Sequence, residues 1–132
     1  MNTVSKRQVL EVPGVGHGNA PIPMGVKIGN MVFSSGVMGQ DPATHQVPKD
    51  DPQKQSELMF KHVKTLVEQA GGTTDNIAHM TVFLKDNAYR EHINTEWLKM
   101  FPHEHDRPAR HTLLWNLPGD MLVQCEIVAV LD

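Results

Sequence analysis

Between Asp51 and Gly72 the sequence brackets one long helix, and the rest of the chain must be arranged around it. Asp51 has the side chain of a good N-cap, and Pro52 suits the first helical position, where a missing N–H costs nothing. Leu58, Met59, Val63, Leu66, Val67 and Ala70 recur at helical spacing and form one apolar stripe. Gly71 and Gly72 then supply the left-handed residue that ends such a helix. A stripe this continuous needs a partner layer, so the spacing predicts a core helix over 52–70.

The flanking segments supply that layer. Residues 4–12 (VSKRQVLEV) read as a first strand. Residues 13–25 hold four Gly and three Pro, which sustain neither a helix nor a central strand, so an irregular surface segment is expected there. VKIGNMVFSSG gives two short strands joined by Gly29-Asn30, a hairpin signal. In residues 37–52, Pro42, Pro48 and Pro52 are read as excluding regular structure. Beyond the helix, residues 77–84 (IAHMTVFL) read as a strand buried on both faces. A second helix over 88–100 is capped by Asp86 or Asn87, with a stripe of Tyr89, Ile93, Trp97 and Met100 or Phe101. PHEHDRPAR ends it, because Pro102 and Pro108 cannot lie inside a helix. HTLLWN and LVQCEIVAV follow as two strands around the turn LPGD. The order β-ββ-α-β-α-ββ predicts one α+β domain over residues 1–132. Its mixed sheet has about six strands, with two helices on one face. The other face would then need a partner, so an oligomer is expected.

Composition narrows the function. With 132 residues, 12 Lys and Arg against 15 Asp and Glu, and a net charge of −3, the chain lacks the basic footprint of a nucleic-acid binder. One Cys excludes an internal disulfide and suits a reducing compartment. The segment from Met1 to Leu10 lacks the apolar core of a signal peptide, and no apolar run approaches the roughly 20 residues that span a bilayer. A cytoplasmic location is expected.

Candidate chemistry is sparse. His103 and His105 flank Glu104, and His111 follows, yet the loop is charged and Pro-flanked with no HExxH pattern or nearby Cys, so no metal site is expected. His17 lies alone in the Gly-rich segment. GVGHG is not a dinucleotide loop, because Pro21 and Pro23 forbid the helix that must follow. Ser34-Ser35-Gly36 lacks the GxSxG elbow. Cys125 sits in an apolar strand and reads as a core residue. Arg110 is more informative. A guanidinium at the entrance of an apolar strand must reach solvent or find an anion, and its planar fork suits a carboxylate. That anion is either a ligand or one of the chain's own acids.

VKIGNMVFSSG, the DP-Q-helix-AGG segment, MTVFLKD and RPARHTLLWNLPGDMLVQCEIVAV together resemble the Rid family, also called YjgF, in order and spacing from about Pro21 to Val130. The resemblance implies a chorismate-mutase-like α+β fold that assembles as a homotrimer with ligand clefts between subunits. It further implies hydrolysis of imines and enamines to 2-keto acids and ammonia, without metal or cofactor. Arg110 matches the family's carboxylate-binding Arg, Ser35 and Gly36 the turn lining the cleft, Asn94 a cleft-side Asn, and Thr112 a position often held by Cys. Two departures stand out. Gln124 replaces a Glu that activates the hydrolytic water, and an amide can hold a water without accepting its proton. Ile22 falls where deaminase members place a Tyr over the ligand. Glu126 shares the strand face of Gln124 but matches a different family position. The expected ligand is a small 2-imino or 2-keto acid pinned by Arg110, with Gln124 positioning water. Two alternatives stand beside it, a non-catalytic metabolite-binding or regulatory trimer and, against the acidic balance, a ribonuclease.

Overall fold

A computed structural model describes residues 6–132. The N-terminal half forms β1 (Gln8–Leu10), β2 (Gly25–Ile28), β3 (Met31–Ser34) and β4 (Val37–Met38), followed by α1 (Pro52–Gln69). The C-terminal half forms β5 (Ile77–Leu84), α2 (Arg90–Met100), β6 (Ala109–Leu114) and β7 (Val123–Val130). All seven strands join one mixed sheet in the order β1-β2-β3-β7-β5-β6, with β4 also paired to β7. Every pairing is antiparallel except β5 with β6, which are parallel and connected through α2.

The α1 boundaries follow from its caps. Asp51 Oδ1 accepts from Lys54 N at 3.0 Å. At the other end Gly71 takes φ 92°, with Gly71 N donating to Glu68 O and Gly72 N to Val67 O, each at 3.0 Å. That is the double bond of a Schellman stop. All six residues of the expected stripe are buried. Gln55, Ser56 and His62 are buried with them, and the stripe did not reveal these polar residues. In α2, Ile93, Trp97 and Phe101 face the core, with Trp97 meeting Phe101 edge-on at 4.8 Å, while Met100 is only half-buried. Asp86 caps a short 3₁₀ turn over Asn87–Tyr89 that precedes α2, its Oδ1 accepting from Ala88 N.

Four expectations need correction. The strand over 77–84 is buried on the helix side only, Thr81 and Phe83 being half-buried on the other face. The sheet has a seventh strand, because Val37 and Met38 pair with Cys125 and Gln124 before the prolines begin; the bar on regular structure holds only further along. The first strand shortens to Gln8–Leu10, and residues 4 and 5 of the expected strand lie outside the described residues. The sixth strand runs over Ala109–Leu114 instead of 111–116. Arg110 therefore lies within it, and Trp115 is 64% exposed beyond its end.

Register assigns each side chain to a face. Met80, Val82 and Leu84 of β5 pair with Ile127, Cys125 and Val123 of β7, all buried beneath the helices. The alternate residues His79, Thr81 and Phe83 pair with Val128, Glu126 and Gln124 on the face away from the helices. Val9, Ile28, Met31, Phe33 and Val130 extend that open face and are exposed. Among the described residues no helix is long and apolar enough to cross a membrane.

Candidate functional site

Arg110 pairs with Met80 across β5 and β6, so it leaves the sheet on the helix side, at the sheet edge. Its side chain runs forward along β6 to Thr112, which shares that face, and Nε donates to Thr112 Oγ1 at 3.0 Å. Nη2 donates to Asn94 Oδ1 on α2 at 2.7 Å. The guanidinium carbon lies 4.9 Å from the centre of the Trp97 ring, within cation–π range. Among the described residues no carboxylate pairs with Arg110. Nη1 has no acceptor there and stays open to solvent.

A half-buried guanidinium held by a hydroxyl, an amide and a ring keeps its full charge unneutralised. Burial, reinforced by the like charge of Arg90, pulls its pKa below the ordinary guanidinium range. Arginine nevertheless stays protonated in proteins, so the strain is felt as appetite for an anion. The alternative of a structural ion pair with the chain's own acids does not occur among the described residues. Sequence reasoning took Trp97 only as core. Its position three residues after Asn94, on the same helix face, was the available signal.

Ser35, Gly36 and Gln124 form a second cluster, where β3 breaks before β4 alongside β7. Ser35 N donates to Met24 O at 2.8 Å and Ser35 Oγ to Pro23 O at 2.7 Å, which ties the break to the Pro-rich segment. Ile22 stands just before that tie and is 51% exposed. A Cβ on Gly36 would lie 2.7 Å from Gln124 Nε2, so only glycine lets the amide sit where it does. Gln124 points to the open face of the sheet, the face opposite Arg110. One chain therefore brings Arg110, Asn94 and Thr112 together and Ser35, Gly36 and Gln124 together, on opposite sides of its sheet.

None of the remaining candidate side chains bonds to a side chain of either cluster. His103, His105 and His111 are exposed, and among the described residues no three His, Cys, Asp or Glu side chains converge on a metal-sized point. Cys125 is fully buried, and burial pushes its thiol far up, which removes it as a nucleophile. His17 Nε2 is buried with no hydrogen-bond partner. Glu126 lies on the open face beside Thr81, two residues from Gln124.

A sheet backed by two helices, with an acid-free arginine on its edge strand, defines a small α+β protein built around an anion-seeking group. The family model described as "Endoribonuclease L-PSP" matches residues 19–131. TdcF of Escherichia coli is 32% identical over 126 residues, covering 94% of this chain and 97% of TdcF. A RutC family protein of Pyrococcus abyssi is 30% identical over 116 residues, covering 83% and 90% of the two chains. The crystal structure of E. coli TdcF with bound serine superposes with a TM-score of 0.84 at 31% identity, covering 95% of this chain and 99% of that one. The E. coli YjgF structure gives 0.81 at 31% identity, covering 93% and 98%. The chain belongs to the Rid family of YjgF and L-PSP proteins.

Proposed function

We propose that this protein binds a small 2-imino acid, or the enamine acid that tautomerises to it, through Arg110 and hydrolyses the C=N bond of the imine to give a 2-keto acid and ammonia. The observation that carries the reading is the unneutralised Arg110 fork, fixed by Thr112, Asn94 and Trp97 with Nη1 open to solvent. A carboxylate on that fork gains charge-assisted hydrogen bonds and holds the imine carbon in place. Water adds to that carbon, its proton passes to the nitrogen, and collapse of the carbinolamine expels ammonia and forms the C=O bond. No metal or cofactor enters this balance.

Gln124 and the Ser35-Gly36 turn serve the water side of the reaction, and Ile22 closes over the ligand. In one chain Gln124 and the Ser35-Gly36 turn lie across the sheet from Arg110, so the complete site is drawn from two copies. The apolar open face supports that assembly, since Val9, Ile28, Met31, Phe33 and Val130 form an exposed patch that a second copy would cover. The expected assembly is the family's homotrimer, working in the cytoplasm. Support from relatives is coarser: TdcF carries the name "Putative reactive intermediate deaminase", and its structure holds serine, a small carboxylate-bearing molecule.

Gln124 favours a second reading, a binder of small carboxylates without turnover, because a neutral amide cannot serve as a base. The two readings separate in one assay of keto-acid and ammonia release from 2-aminoacrylate generated in situ. Turnover by the parent that falls at least a hundredfold in Arg110→Ala supports the enzyme. No turnover by the parent and gain of turnover in Gln124→Glu supports the binder. Parent-like turnover in Arg110→Ala overturns the site.

A further inference from the structure

We infer that the Gly-rich segment over 14–18 and the turn over 40–46 form a second binding site, separate from Arg110, for a small neutral planar ring with a lactam edge.

The walls of the site are preformed. His45 Nδ1 donates to Gly14 O at 3.0 Å and Gly16 N donates to Gln40 Oε1 at 2.9 Å, so two bonds clamp the segment to the turn. The turn closes on itself, with Asp41 N donating to Gln46 O and His45 N to Asp41 O, each at 2.8 Å. Between segment and turn lies an open cavity of about 370 Å³, lined by Gly14, Val15, Gly16, Gly18, Gln40 and His45. That volume is at the lower end of the range for small-molecule sites. None of these residues belongs to the Arg110 or the Gln124 cluster.

Gly16 is the first residue that points to a ligand. Of the ten glycines, five take a left-handed φ and four would drive a Cβ to within 3 Å of a neighbour. Gly16 does neither, and a Cβ built on it would meet nothing within 4 Å. The fold makes no demand for glycine there, whereas bare backbone on a cavity wall lets a flat ring approach closely. His45 is the second. Its φ of 61° is a conformation that glycine would take without strain, yet the position holds an imidazole. Because the Gly14 carbonyl can only accept, Nδ1 carries the proton of the neutral ring and Nε2 is left a bare acceptor. His17, between Gly16 and Gly18, adds a buried Nε2 with no partner among the described residues.

These groups define the ligand's edge. His45 Nε2 needs a donor, and the Gly18 N–H, which has no acceptor among the described residues, needs an acceptor. An NH–C=O edge supplies both. No Lys, Arg, Asp or Glu lines the cavity, so nothing there selects a charged ligand.

The test is a titration of the full chain, followed by amide proton–nitrogen correlation spectra, with three ring probes: 2-pyridone, N-methyl-2-pyridone and benzoate. The expected result is that 2-pyridone saturably shifts the amide signals of Gly16, Gly18 and His45. N-methyl-2-pyridone lacks the donor for His45 and should bind about fivefold more weakly, the size of one lost neutral hydrogen bond. Benzoate should leave the three signals in place. Gly16→Ala puts a methyl on the wall without touching a neighbour, so it should abolish the 2-pyridone shifts with circular dichroism and melting temperature unchanged. His45→Asn tolerates the left-handed φ but shortens the side chain, and should weaken 2-pyridone by about the same factor as N-methylation, which tests the site should Gly16→Ala fold poorly. Absence of saturable shifts with 2-pyridone, parent-like affinity in either folded variant, or equal binding of the N-methylated ring or of benzoate overturns the inference. Each of those outcomes leaves the reading of Arg110 untouched.

Discussion

The Arg110 guanidinium sits 4.9 Å from the centre of the Trp97 ring, a cation placed on a π face that is itself only 8% exposed. The ring comes from the core stripe of α2, where its edge-on contact with Phe101 fixes its plane. Packing of the core and orientation of the anion-seeking group are therefore one arrangement. Trp97→Leu removes the π face while leaving an apolar side chain, and is expected to weaken carboxylate binding severalfold, from loss of about 0.5–2 kcal/mol of cation–π attraction. Trp97→Phe is expected to recover most of it. Titration of both variants with L-serine checks this. Equal affinity in parent and leucine variant would remove the ring from any part in the site.

Thr112 occupies Arg110 Nε, so the fork meets its ligand through the Nη1 end. Thr112→Val keeps the shape and removes the acceptor, which frees Nε to rotate toward other partners. The expected outcome is a shift of the Arg110 Nε–H resonance and a fall in carboxylate affinity, both restored by Thr112→Ser. A resonance that does not move in the valine variant would contradict the bond between the two side chains.

Gly36 and Gln124 make the corresponding pair on the open face. A Cβ at Gly36 would lie 2.7 Å from the Gln124 amide nitrogen, the flexible end of a side chain, so Gly36→Ala is tolerated by the fold at a cost below about 1 kcal/mol. The amide must nevertheless swing away. Turnover, or ligand affinity if turnover is absent, is expected to fall while the melting temperature barely changes. Gly39→Ala should behave oppositely, since its Cβ would lie 2.0 Å from the backbone oxygen of Gln55 and would force α1 off the sheet.

How much of this was legible beforehand follows from what each signal measures. Periodicity reports which side chains share a face, and it gave α1 with its caps, the hairpin at Gly29 and the Ile93-Trp97 stripe. It does not report pairing register. The two-residue β4 therefore went unread, and so did the fact that Arg110 and Gln124 leave opposite faces of the sheet. The chemical identity of Arg110 points to an anion without saying whether that is a ligand or an acid of the chain; its partners among the described residues are neutral. Polar residues within an apolar stripe were the blind spot. Gln55 and His62 sit on α1 where the pattern has no way to mark a buried amide or imidazole.

Gln55 is fully buried, and its amide closes three backbone bonds: Nε2 donates to Pro48 O at 2.8 Å and Asp120 O at 3.0 Å, and Oε1 accepts from Leu122 N at 2.9 Å. Two loops far apart in sequence are thereby tied to α1. Gln55→Met fills the volume but leaves these groups without partners, each costing about 1–3 kcal/mol when buried. The melting temperature is expected to drop by on the order of 10 °C. A loss under about 2 °C would mean that the loops find water or other partners instead.

His62 makes the stability of the fold depend on pH. It is 2% exposed, and its Nε2 lies 2.6 Å from Gln40 O, where a neutral imidazole donates. Burial lowers its pKa below the ordinary 6.5, aided by Lys61 and opposed by the Gln40 carbonyl and Asp41. The unfolded chain therefore binds a proton first on acidification. Stability is fully present above about pH 6.5 and is lost as pH falls below it, by at most about 1.4 kcal/mol per pH unit for one proton. The loop that feels the loss is the one Gln40 organises, since its Oε1 accepts from Gly16 N and its Nε2 donates to His45 O. His62→Gln keeps a donor for Gln40 O and removes the titration. Urea unfolding at pH 5 and pH 7 should show the parent losing more stability than this variant. Equal losses in both would assign the acid sensitivity to other groups.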